Sequence, residues 1–73
     1  MTDRDTLNEI GSRIKNIRNA KNITQKDLAF MCGFEKASMS RIESGQTNIT
    51  ILTLQRICSS LDVTIKDFFN WQE

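Results

Sequence analysis

Residues 36–44 place small, polar and basic side chains at helical spacing around two apolar ones. If Met39 and Ile42 point inward, helical periodicity puts five other side chains on the outer face. Arg and Lys can donate to guanine O6 and N7, Ser can bond to several bases, and Ala can contact a thymine methyl group. The outer face holds Lys36, Ala37, Ser40, Arg41 and Ser44. The pattern is compatible with the reading of DNA bases, and an ordinary solvated helix face is the alternative.

The residue types missing from the sequence exclude most other chemistry. The 73 residues contain no His, which is the commonest metal ligand and the usual general base near neutral pH. Cys32 and Cys58 stand in apolar surroundings without ligand-like spacing, which favours small buried residues over a disulfide or a metal site. The sequence therefore predicts no enzyme activity, no metal and no cofactor.

The length and hydropathy of the chain limit the number of domains and exclude a membrane span. The chain is long enough for one small core and leaves no room for a second domain. No run approaches the roughly 18–20 apolar residues that span a bilayer, and no signal peptide opens the chain. We therefore expect a single domain over residues 1–73, in the cytoplasm and without a membrane partner.

The net charge of +1 hides an uneven distribution. Residues 10–45 contain seven basic and three acidic side chains, whereas residues 1–9 and 46–73 are both net acidic. Charge asymmetry of this kind can mark an interaction surface. The basic segment contains the whole of the polar and basic helix face.

Apolar spacing and turn residues predict the helices that position this face. Apolar residues from Leu7 to Ile17 recur at steps of three and four and form one face of helix one. Thr24, with Asp27 three residues later, is a capping signal for helix two, from about Gln25 to Cys32. Helix three follows from about Lys36 to Ser44, after a turn in which Gly33 can supply a positive φ.

The segment 47–53 alternates β-branched and polar residues, which by propensity alone indicates a strand. A lone strand would have no partner here, and the next apolar residues continue at helical spacing. We therefore predict helix four from about Ile51 to Leu61 and helix five after a Thr64 cap. The sequence predicts an all-α fold of five helices.

Helices two and three, joined by a glycine turn, have the shape of a helix-turn-helix. The runs ITQKDLA (23–29), GF (33–34) and SMSRIESG (38–45) resemble the Cro and phage-repressor (XRE) family of helix-turn-helix regulators. The resemblance covers about residues 8–70. It implies a compact, lambda-repressor-like domain, with the motif at about 24–44, that binds double-stranded DNA and regulates transcription.

The resemblance also implies roles for individual residues. Arg41 is the strongest candidate for a bidentate contact with guanine. Arg18 and Glu43 match a pair that joins helices one and three, with two independent surface charges as the alternative. The base-facing positions on the recognition helix are Lys36, Ala37, Ser40 and Arg41. The positions that resemble phosphate contacts are Thr24, Gln25, Ser44, Thr47 and Asn48, of which Thr24 is also plausible purely as a cap.

Some residues depart from the family pattern. Glu35 stands where relatives often have a Ser or Thr cap, and it places a negative charge near phosphate. Ile49 stands where many relatives have proline. Phe30 and Met31 occupy positions that are usually polar, so an exposed apolar spot and folding back on neighbouring side chains both remain open.

One domain of this size covers only half of an operator, so relatives typically act as two-fold dimers on near-palindromic sites. We predict a homodimer with recognition helices about 34 Å apart, formed through helices four and five at about 51–70. Ile65 is the interface candidate that best fits a core position. The candidate interface residues are Ile51, Leu52, Ile65, Phe69 and Trp71.

The sequence thus predicts a sequence-specific transcriptional regulator that occludes a promoter or contacts RNA polymerase. A phage-type repressor, a controller protein of a restriction-modification locus and a free-standing regulator all fit this length. The alternative class is an interaction module, such as an antitoxin that seals a partner toxin. Phe30, Met31 and Trp71 would then be its contact residues.

Overall fold

The computed structural model describes residues 2–70. Within this part of the chain there are five α-helices and no strand. They are α1 (Asp3–Ala20), α2 (Gln25–Cys32), α3 (Lys36–Glu43), α4 (Ile51–Ser60) and α5 (Ile65–Phe68). The predicted all-α, five-helix fold is confirmed, as is the helical interpretation of the segment that follows Thr50. None of the helices in residues 2–70 combines the length and apolar character needed to cross a bilayer.

Threonine hydroxyl groups begin four of the five helices in the described chain. Thr2, Thr24, Thr50 and Thr64 each accept a hydrogen bond, at 3.0–3.1 Å, from the amide of the third helical residue. Each bond satisfies an amide that has no partner within the helix. Glu35 precedes α3, and its side chain makes no such bond. The helix α3 therefore begins with less local support than the other four helices in the described chain.

The helices enclose one hydrophobic core, to which α3 contributes Met39 and Ile42 as predicted. Phe68 anchors α5 in this core, and Ile65 packs against it while remaining half-buried. Both cysteines are buried without a disulfide, and burial raises the pKa of the Cys58 thiol, which keeps it neutral. The core comprises Ile14, Leu28, Ala29, Cys32, Met39, Ile42, Leu54, Ile57, Cys58, Leu61 and Phe68.

At Gly11 the helix α1 lies close against the backbone of α3. A Cβ atom at this position would stand 2.5 Å from the carbonyl oxygen of Glu43 and 2.6 Å from that of Ile42. Real Cβ atoms essentially never approach backbone this closely, and backbone inside a packed helix cannot easily yield. The absence of a side chain at Gly11 therefore sets the distance between α1 and the recognition helix.

Gly11→Ala is expected to lower the free energy of unfolding by about 2 kcal/mol. The added methyl group overpacks the contact with the α3 backbone at a cost of about 3 kcal/mol, and the gain of alanine in helix propensity offsets about 1 kcal/mol of that. Urea denaturation followed by circular dichroism measures the change. Ser12→Ala, at an exposed position of the same helix, is the control. A Gly11→Ala variant as stable as the wild type would show that the two helices can separate without cost.

Candidate nucleic-acid interface

The recognition helix α3 is buried on one side and exposed on the other. Lys36, Ala37, Ser40 and Arg41 are all exposed. At 100° per residue these four side chains occupy about 140° of the helix circumference. The guanidinium of Arg41 donates a long hydrogen bond of 3.5 Å to the Ser38 hydroxyl. The four predicted base-reading residues thus share one exposed surface, and none of them belongs to the core.

A groove of about 630 Å³ lies where α1, α2 and α3 meet. It brings together the predicted phosphate contacts on α2 and after α3 with part of the predicted base-reading set. It also includes Lys15 and Lys26, which sequence reasoning had not singled out. The signal that could have identified Lys15 is its position on α1, one helical turn before Arg18. The groove is lined by Lys15, Arg18, Thr24, Gln25, Lys26, Lys36, Ser40, Glu43 and Ser44.

Thr47 and Asn48 lie away from this groove, in the loop between α3 and α4. Thr47 is half-buried and Asn48 is exposed. Both line a separate cavity of about 320 Å³ together with Ile49 and Thr50. They therefore lie outside the groove that holds the other three predicted phosphate contacts, Thr24, Gln25 and Ser44.

A buried ion pair joins α1 to the last turn of α3. Arg18 Nε donates to Glu43 Oε2 at 2.8 Å and Nη2 donates to Oε1 at 2.9 Å, which is the two-pronged geometry of a strong Arg–carboxylate pair. The two side chains are 10% and 4% exposed. Arg18 Nη1 also donates to the carbonyl oxygen of Ile23 at 3.0 Å. Arg18 thus fixes both the end of α3 and the chain that enters α2.

Gln25 hydrogen-bonds to the same ion pair. Its Nε2 atom donates to Glu43 Oε1 at 3.2 Å. Since an amide nitrogen carries two hydrogens, the second can still donate to a phosphate oxygen. Glu43 therefore orients the predicted phosphate contact at the start of α2, a link that the sequence had not indicated.

The basic side chains of residues 10–45 have different partners and positions in the fold. Arg18 is paired with Glu43, and Arg13 donates to backbone carbonyl groups of α5. Lys15, Lys26 and Lys36 line the groove. The positive charge beside α3 therefore comes from these lysines and Arg41 rather than from the whole segment.

Two groups of apolar side chains remain exposed. Phe30 is 84% and Met31 50% exposed on α2, so these residues do not fold back on their neighbours. Leu52 is 74% exposed, and Ile51 and Phe69 are also largely accessible, as the predicted interface requires. Trp71, which was predicted to join this interface, lies outside the described residues.

The sequence of this chain also matches a known protein family, in agreement with the geometry of α2, α3 and the groove. The family described as helix-turn-helix (HTH_3) matches residues 14–68. This chain belongs to the helix-turn-helix family. The match confirms the predicted resemblance to the Cro and phage-repressor (XRE) family, and α2 and α3 are the two helices of the motif. The helix-turn-helix protein is a DNA-binding transcriptional regulator, and its family is regulatory rather than a class of enzyme.

Individual relatives of this helix-turn-helix protein include controller proteins of restriction-modification systems. Control protein C.BamHI of Bacillus amyloliquefaciens is 32% identical over 62 residues, which are 84% of this chain and 76% of that protein. The controller protein C.AhdI from Aeromonas hydrophila has a TM-score of 0.87 at 26% identity, covering 94% of this chain and all of that chain. The controller protein C.Esp1396I, solved as a tetramer with its natural 35 base-pair operator, has a TM-score of 0.81 at 36% identity, covering 86% and 83%.

Proposed function

We propose that this helix-turn-helix protein binds a near-palindromic operator as a homodimer and regulates transcription as a restriction-modification controller protein. The observation that carries the proposal is the exposed face of α3, which lies beside a lysine-lined groove and is held by a buried ion pair. The likeness to C.BamHI, C.AhdI and C.Esp1396I supports the controller type. Operator binding places the protein with the chromosome, in the cytoplasm.

The two surfaces of the site have different tasks in this proposal. Arg41 forms a bidentate contact with guanine, and Lys36, Ala37 and Ser40 contact neighbouring bases in the major groove. Five of the groove residues bind the DNA backbone, where the N-terminus of α2 adds a favourable dipole for phosphate. The backbone-binding residues on the groove are Thr24, Gln25, Ser44, Lys15 and Lys26. Thr47 and Asn48 would contact the backbone outside the groove.

A homodimer supplies the second half-site. The described chain measures 31 × 23 × 21 Å, so one subunit spans about one turn of DNA and reaches one half-site. Ile51, Leu52 and Phe69 offer exposed apolar area for self-association, whereas Ile65 packs against the core and is only half-buried. In the dimer the two recognition helices lie about 34 Å apart, in successive major grooves on one side of the duplex.

Selection of bound DNA from a random pool, followed by affinity measurements at several salt concentrations, tests the proposal. We expect an enriched near-palindrome whose half-sites are centred one helical turn apart. If eight to ten phosphates are neutralised per dimer, log affinity against log salt should have a slope of roughly −7 to −9. Lys15→Ala and Lys26→Ala should each make this slope less steep by about one unit per neutralised phosphate. A flat salt response without an enriched palindrome would contradict operator binding.

A protein partner is a second candidate function, favoured by the exposure of Phe30 and Met31 on α2. These two side chains belong neither to the predicted base-reading set on α3 nor to the predicted dimer set on α4 and α5. The partner would be RNA polymerase, if the protein activates from an upstream site, or a toxin, if the protein acts as an antitoxin. Copurification of a second protein that is lost in Phe30→Ser would favour this function over DNA binding alone.

A further inference from the structure

Arg13, in the middle of α1, is bonded to the far end of the chain. Its Nε atom donates to the carbonyl oxygen of Phe68 at 3.2 Å, and its Nη2 atom donates to that of Asp67 at 3.4 Å. The last carbonyl groups of a helix have no partner within it and form the negative end of its dipole. A guanidinium with several fixed donors is therefore well matched to the C-terminal turn of α5.

The helix α5 depends on such contacts because it has only four residues, too few to be stable alone. The Phe68 side chain is fully buried and fixes the helix from its inner side. Phe69 follows directly, with 45% of its surface exposed. Its ring packs edge-on against that of Phe68, with centroids 5.2 Å apart and an interplanar angle of 87°. The orientation of Phe69 is thus set by the turn to which Arg13 is bonded.

We infer that Arg13 is a positioning residue for self-association, which holds the end of α5 against α1 so that Phe69 meets a second copy of this chain. The inference rests on the proposed homodimer. Arg18, whose partner Glu43 ends the recognition helix, lies five residues further along α1, or about 7.5 Å along its axis. One helix, α1, therefore contacts both the end of α5 through Arg13 and the end of α3 through Arg18.

The test compares four variants of the full chain. Arg13→Gln removes both the charge and the planar set of guanidinium N–H donors. Arg13→Lys keeps the charge but lacks that planar set of donors. Phe69→Ala removes the proposed association contact itself. Arg4→Gln is the matched control, because it makes the same change at an exposed position of α1. Sedimentation equilibrium measures the dimer dissociation constant, circular dichroism measures helix content, and a short random-sequence duplex at low salt measures binding by single subunits.

We expect Arg13→Gln to raise the dimer dissociation constant about tenfold or more, because both subunits lose charge-assisted hydrogen bonds. Arg13→Lys should have a smaller effect and Arg4→Gln none. Any loss of helix content should stay within the four residues of α5, and binding to the random duplex should stay unchanged. Wild-type dissociation constants for Arg13→Gln, alongside weaker association for Phe69→Ala, would overturn the inference and leave the proposed homodimer intact. A parallel loss of helix content and duplex binding would also overturn it, because Arg13 would then only stabilise the fold. A wild-type protein that sediments as a monomer at micromolar concentration would instead overturn the homodimer itself.

Discussion

Arg18→Met is expected to lower the free energy of unfolding by about 3–5 kcal/mol, since it leaves the Glu43 carboxylate buried without its charged partner. Glu43 would keep only the hydrogen bond from Gln25. A domain of this size is typically stable by only about 5–10 kcal/mol, so a large fraction of the variant should unfold on mild warming. Urea denaturation of the variant and the wild type measures the loss. Arg56→Met, at an exposed position of α4, is the control and should change stability by less than about 0.5 kcal/mol.

The double variant Arg18→Met with Glu43→Leu measures how strongly the two charges of the ion pair interact with each other. Each single variant leaves one buried charge without a partner. The double variant removes both charges and leaves apolar side chains of similar size. Its loss of stability should therefore be smaller than the sum of the two single losses. Additive losses would mean that the two charges act independently despite the 2.8 Å contact between them.

Arg41→Ala is expected to weaken operator binding by about 2–6 kcal/mol per dimer, because each bidentate contact with guanine contributes about 1–3 kcal/mol of discrimination. Binding to a random duplex should fall much less, and the enriched half-site should lose its preference at one position. Because Arg41 is exposed and lies outside the core, the stability of the domain should not change. Fluorescence anisotropy with the selected operator and with a random duplex measures both affinities.

Lys26→Ala is the matched comparison for Arg41→Ala. Lys26 lines the groove rather than the outer face of α3, so its loss should weaken the operator and the random duplex by the same factor. Equal losses on both duplexes for Arg41→Ala would assign Arg41 to the DNA backbone and leave the reading of bases to the remaining residues of α3.

All five helices, and the approximate bounds of α2, α3 and α4, could be predicted from the sequence because local rules dominate them. The apolar spacing of α1, the threonine caps of α2 and α4 and the glycine turn act over three or four residues. The interpretation of the segment around Thr50 as a helix start needed one further argument, the absence of a partner strand. The family resemblance then identified Arg18 and Glu43 as a pair, which the structure joins across 25 positions of sequence.

What the sequence could not provide are contacts between residues far apart in the chain that follow no short-range pattern. The bond from Arg13 to the end of α5 spans 55 positions, and its acceptors are backbone carbonyl groups, which carry no residue identity. The hydrogen bond from Gln25 to Glu43 and the close approach at Gly11 likewise depend on how helices cross. The exposure of Phe30 could not be predicted either, because an apolar residue on a short helix can as readily fold back as point outward.

The separation between the two sides of α3 has a consequence for protein engineering. Its inner side meets the core through Met39 and Ile42 and meets α1 through Glu43, whereas the four outward side chains take no part in the core. Variation of sequence at the outward positions therefore acts on a surface that folding does not constrain. If these four residues read bases as proposed, a library at Lys36, Ala37, Ser40 and Arg41 should change the preferred operator while most members still fold.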